Sequence, residues 1–104
     1  QAARSAYRDF LKVSMENPTL SGGDFGDFQQ TDIESEKYFW YATLMTETFE
    51  QVLAHVPEVD SWIDLVKVQV GMHCTFYDSA DFVAELYSLQ LQNIVEGVIS
   101  EIDC

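Results

Sequence analysis

The stretch from Thr31 to Pro57, TDIESEKYFWYATLMTETFEQVLAHVP, decides the architecture. Its first residues, Thr31-Asp-Ile-Glu34, have the spacing of a capping box, in which the Thr hydroxyl and the Glu carboxylate each satisfy a backbone N–H of a first helical turn. Apolar residues then recur at steps of three and four through Tyr38, Tyr41, Leu44 or Met45, Phe49, Val52 and Val56. Pro57 ends the run, since it has no N–H to donate. Phe39, Trp40 and Leu53 widen the stripe, so this helix is expected at the centre of the fold, touched on more than one side.

Upstream, residues 1–16 read as a first amphipathic helix. Ala3, Tyr7, Phe10, Leu11 and Val13 to Met15 supply its apolar side, while Arg4, Arg8 and Lys12, spaced by four, line the other. It should stop before Asn17-Pro18, because a residue preceding proline is pushed out of the helical region. Residues 17–30 then form a glycine-rich loop, with Phe25 and Phe28 expected to tuck onto the body. Gln1 opens inside a helical pattern without an initiator Met, which implies that residues precede it. That lack of a cap, the basic stripe and the following loop make the first helix an expected docking or tethering element, less integrated with the core than residues 31–56.

Downstream, Asp60 or Ser61 can cap a third helix bearing Trp62, Ile63, Leu65, Val66, Val70 and Met72, with Asp64 near the positive end of its dipole. Val66, Val68 and Val70 alternate like a strand, but the 62, 66, 70 spacing favours a helix. Asp78-Ser79 offers another N-cap, followed by Phe82, Val83, Leu86 and Tyr87 and then by Leu91, Ile94, Val95, Val98, Ile99 and Ile102, as one bent helix or two. The expectation is an all-α fold: a compact bundle of four to five helices in a single domain over residues 1–104, with a helical body over 31–104.

Composition narrows the function. With 47% hydrophobic residues and two Trp, five Tyr and seven Phe, the chain has a core's material and is not a disordered acidic tail. Eighteen acids against five Lys and Arg give a formal charge of −13, which excludes phosphate-driven binding to nucleic acid. No stretch approaches the roughly 18 apolar residues of a membrane span, and no signal-peptide pattern is present. The charge is uneven: residues 1–16 hold three of the five basic residues against two acids, and the remainder nets −14. The cationic stripe is therefore solvated, or lies against the acidic body of its own domain, or faces an anionic membrane surface.

Motifs for catalysis fail on context. Gly22-Gly23-Asp24-Phe25 and Asp24-Phe25-Gly26 share letters with cyclase and kinase signatures whose supporting motifs are absent. Asp24, Asp27, Asp32 and Glu34 lack the alternation, central glycine and terminal Glu of an EF-hand. His55, His73, Cys74 and Cys104 have no zinc spacing, and the adjacent His73 and Cys74 diverge by about 100° on a helix. No catalytic, cofactor-binding or metal-ligating residue is expected. Two cysteines without a paired motif read as free thiols not joined to each other, and hence as a cytoplasmic protein, membrane-associated at most at the cytoplasmic face.

Trp40-Tyr41, Leu44, Phe49-Glu50, Trp62 after the proline break, Phe82 after the Asp-Ser pair and the aliphatic end Ile94 to Ile102 resemble the packing residues of small helical domains found in bacterial proteins of uncharacterised function. Those proteins often carry an N-terminal membrane helix, so the resemblance implies an all-helical fold with an anchor upstream.

Two functional readings follow. The leading one is a non-catalytic interaction module that binds a protein partner or itself, or stands as the soluble part of a membrane-tethered protein, through surface aromatics and the Arg4, Arg8, Lys12 stripe. The alternative is a small-ligand-binding or sensory domain with a pocket lined by Trp40, Tyr41, Trp62, Phe76 and Tyr77.

Overall fold

A computed structural model describes residues 2–21, 33–55 and 59–102, and every regular element among them is helical. In chain order these are α1 (Ala2–Glu16), α2 (Pro18–Ser21), α3 (Ile33–His55), α4 (Asp60–Met72), α5 (Cys74–Tyr77), a 3-10 turn (Ala84–Leu86) and α6 (Leu89–Glu101). The Thr31-Asp32 start of the capping box, Phe25, Phe28 and Pro57 lie outside the described residues.

The long helix is central, as its wide stripe requires. Tyr38, Tyr41, Ala42, Met45, Phe49, Val52 and Leu53 of α3 are buried. Between the two candidates for the middle of the stripe, Met45 is fully enclosed and Leu44 stays 40% exposed. Thr46 and Thr48 are buried as well, and each hydroxyl donates to a carbonyl one turn back, Ala42 and Leu44 respectively, so neither leaves a polar group unsatisfied. The aromatics Phe49 and Tyr41 meet α1 through Phe10, whose ring lies 6.5 and 5.3 Å from theirs. Val66 and Val70 of α4 and Leu91, Ile94 and Val95 of α6 join the same core.

α1 runs antiparallel to α3: Ser14 faces Tyr41, while Ala6 lies level with Gln51. Ala3 and Phe10 are buried, and α1 with α3 is the most extensive helix pair in the bundle. The expectation of a poorly integrated first helix is thereby corrected; its apolar residues spaced by seven serve the core. α1 ends at Glu16, yet the chain does not become irregular at Asn17-Pro18. The Asn17 backbone N–H and its Nδ2 both donate to the Val13 carbonyl, at 3.1 and 3.0 Å, and Pro18 opens the single turn α2, where its missing N–H costs nothing.

α4 begins without the expected Asp60 or Ser61 cap. Val59 occupies the N-cap with no side-chain bond, its carbonyl accepting from Trp62 and Ile63, and Asp60 sits inside the first turn near the positive dipole end.

The segment after α5 departs further from the sequence expectation. Ser79 starts no helix: its hydroxyl donates to the Phe76 carbonyl at 2.6 Å and accepts from the Asp81 N–H at 3.2 Å, which closes a turn. Phe82 then stacks on Tyr87, centroids 5.6 Å apart and planes 10° from parallel. Residues five apart on an α-helix point about 140° away from each other, so a continuous helix from Ser79 cannot make this stack. The helix starts instead at Ser88, whose Oγ accepts from the Leu91 N–H at 3.2 Å.

α6 returns its last turn to the α4–α5 corner. A Cβ on Gly71 would sit 3.9 Å from both Val98 Cγ1 and Ile102 Cδ1. Three residues on, Cys74 is disulfide-bonded, and Cys104 is the single other cysteine in the sequence. The expectation of two free thiols is corrected; Cys104 itself lies outside the described residues, and the packing of α6 on Gly71 places Ile102 at the α4–α5 corner that holds Cys74.

Candidate functional site

Three arrangements in the structure bear on function: the outward face of α1, a set of buried phenols, and surface grooves flanking α3 and α6.

Arg4, Arg8 and Lys12 are all exposed on α1, one turn apart. Interleaved with them on the same face are Leu11, 42% exposed, and Met15, 80% exposed. Five apolar or basic positions over about three turns thus look away from the core. No ion pair joins Arg4, Arg8 or Lys12 to another described residue, so the acidic body of the domain does not neutralise them there. The result is a cationic strip that shares its face with two exposed apolar side chains, Leu11 and Met15.

The interior carries paired hydroxyls rather than a reactive constellation. Ser14 Oγ donates to the Phe10 carbonyl at 3.1 Å, so its contact of 2.7 Å with Tyr41 is one in which the phenol donates. The same logic holds for Thr46, which gives its proton to Ala42 and receives that of Tyr77 at 2.9 Å. Tyr38 Oη lies 2.8 Å from His73 Nδ1, with the two rings stacked at 5.8 Å. Burial pushes the Tyr38 and Tyr77 phenols well above the ordinary tyrosine range and raises Tyr41 too. Tyr87 is raised by burial and then by the carboxylate of Glu47. All of these phenols hold their protons across the physiological range; the hydrogen bonds of Tyr41 and Tyr77 fix α1 and α5 against α3, and that of Tyr38 ties α3 to His73 at the α4–α5 junction.

The structure does not gather the aromatics of the anticipated pocket. Trp40 is 62% exposed on the outside of α3; Trp62 is half-buried with its ring edge-on to Tyr7 at 5.7 Å; Tyr41, Phe76 and Tyr77 are core residues. No groove described here is lined by more than two of the five. One groove, between α1 and α3, has Trp40, Tyr41 and Leu44 on one wall, Val13 and Leu20 on the other, and Lys37 at its end. Both histidines stand at helix C-termini: His55 is the last residue of α3, and His73 is the C-cap of α4, buried at the α4–α5 junction.

A second groove was not anticipated from the sequence. It runs between α6 and the turn segment after α5, holds about 380 Å³, and is walled by Phe82, Ala84, Val95 and Ile99 over Tyr77. Asp78 and Glu96 stand exposed at its mouth. One signal of it was visible in advance: after Lys67 the sequence contains no Lys or Arg.

Among the described residues no three His, Cys, Asp or Glu side chains form a metal-holding group, and no helix is long and apolar enough to cross a membrane. Comparison of the chain with protein-family models, with characterised proteins and with solved structures finds no match.

Proposed function

We propose that this protein is a non-catalytic helical interaction module that engages an acidic surface through the outward face of α1. The observation that carries this reading is the cationic strip itself: Arg4, Arg8 and Lys12 stand without an ion pair to a described residue, and Leu11 and Met15 on the same face are 42% and 80% exposed. A strip that merely balanced the charge of its own domain would lie against the acids of α3 or α4. The protonated, hydrogen-bonded phenols support a structural role for the interior, and the dispersal of Trp40, Trp62 and Phe76 favours this reading over a ligand-filled aromatic pocket.

The surface engaged carries negative charge, as a protein or as a bilayer; beside anionic lipid each cation contributes about 1 kcal/mol, enough to orient a tethered domain and too little to hold a free one. The disulfide at Cys74 supports an oxidising compartment in place of the cytoplasmic location that free thiols suggest. The test compares the full chain with R4E/R8E/K12E in three assays: binding to polyglutamate, binding to phosphatidylserine/phosphatidylcholine vesicles, and self-association by light scattering. The reading predicts that the native chain scores in at least one and that the variant, still folded, loses it. Identical behaviour of the two proteins in all three overturns it.

A further inference from the structure

We propose that the outer face of α1 in one copy of this chain docks into the α6 groove of a second copy, a contact that rests on the interaction reading above and names its partner. The two surfaces are opposites in charge and alike in apolar content. The groove presents Phe82, Ala84 and Ile99 together with Asp78 and Glu96, over the buried Val95. The segment that walls it, residues 68–104, contains acids at 78, 81, 85, 96, 101 and 103 and no Lys or Arg. Elsewhere in the chain Lys37 and Lys67 are solitary, so α1 alone offers a row of cations with apolar residues set among them.

The spacing fits. Arg4 to Lys12 spans eight residues, about 12 Å of helix, and so does the stretch of α6 from Gln92 to Ser100 along the groove. Leu11 and Met15, one turn apart, meet the partly exposed Phe82 and Ile99, while Arg8 and Lys12 reach the carboxylates of Glu96 and Asp78. Pairings that set acid against acid on bodies of net charge −13 cost several kcal/mol, which favours contacts in which the α1 cations meet acids. The contact of α1 with the α6 groove joins unlike surfaces, so it forms a ring where the rotation closes and an open chain where it does not.

The test uses the oxidised full chain and two charge-reversed forms, R8E/K12E and D78K/E96K, followed by sedimentation from micromolar to millimolar concentration, with circular dichroism confirming the fold. All four positions are exposed, so folding should survive. The native chain is expected to associate, and each reversed form alone to associate about a hundredfold more weakly or not at all. Mixed one to one, the two reversed forms should associate again, because the acidic α1 of the first now meets the basic groove of the second and the remaining pair is native. A native chain that stays monomeric throughout overturns the proposal, as does association indifferent to the reversals or a mixture that stays apart. If the native monomer still binds anionic vesicles and R8E/K12E does not, the interaction reading survives with lipid as its partner; if neither protein binds vesicles or polyglutamate, both fall.

Discussion

Glu50 of α3 clamps Ser88 at the start of α6: the Ser88 N–H donates to one carboxylate oxygen at 3.0 Å and its hydroxyl to the other at 2.7 Å. Ser88 in turn receives the Leu91 N–H, so a single acid on the central helix orients the N-cap of the last one. Ser88→Ala should cost about 1 kcal/mol of stability through loss of the cap, measured by urea unfolding. Because both side chains act as one unit, Glu50→Gln with Ser88→Ala should cost clearly less than the sum of the two single changes. Strict additivity would separate the two contacts.

Reduction of the disulfide at Cys74 opens a loop of about 30 residues if Cys104 is the partner, which by chain entropy lowers stability by about 3–4 kcal/mol. A melting curve with and without reductant reads this directly. Unfolded, unreduced protein should show no titratable thiol; two thiols per chain would contradict the bond.

The raised phenols set an alkaline limit. For Tyr77 and Tyr38, burial lifts the folded value above 10.0, where the unfolded side chain ionises. Their contribution is whole below pH 10.0 and is lost as pH rises above it, since only the unfolded chain releases protons there, at about 1.4 kcal/mol per pH unit for each group. Tyrosinate absorbance should therefore appear together with unfolding. Tyr77→Phe should flatten the decline of stability above pH 10.0; an unchanged slope would assign the limit elsewhere.

Phe10→Ala should cost about 3–5 kcal/mol, because its buried ring fills the seam between Tyr41 and Phe49, and removing residues 1–16 should abolish cooperative unfolding. Arg8→Ala and Lys12→Ala, on the opposite side of the same helix, should stay within about 0.5 kcal/mol of the native chain. Denaturant titrations of these forms separate the structural face of α1 from its exposed one.

With a formal charge of −13, the folded state repels itself at low ionic strength, and the melting temperature should rise toward about 0.15 M salt, where the Debye length is about 8 Å. A fall would mean that attractive pairs outweigh the repulsion.

Sequence periodicity reaches only as far as its neighbours do. α3 is readable because Tyr38, Tyr41, Met45, Phe49 and Val52 repeat within one element, and the basic strip because Arg4, Arg8 and Lys12 are one turn apart. Ser79 and Ser88 are equal as candidate caps by residue type; what distinguishes them is Glu50, 38 residues before Ser88 in the chain, and the stack of Phe82 on Tyr87. The acidity of the α6 groove is legible in the absence of Lys and Arg after Lys67, but its shape is not, since its walls meet only once that segment has folded into turns. Tyr38 and His73, 35 residues apart, are likewise joined by packing that no local pattern announces.

The two tryptophans stand in unlike surroundings: Trp40 projects into solvent beside Phe39, while Trp62 presses its ring against Tyr7 across the seam between α4 and α1. The molecule therefore carries two optical probes in separate places. Emission from Trp62 tracks whether the first helix is seated, and quenching of Trp40 by a dissolved quencher tracks what covers the outer wall of α3. Replacing either with Phe leaves a single lamp whose colour reports one of these events without the other.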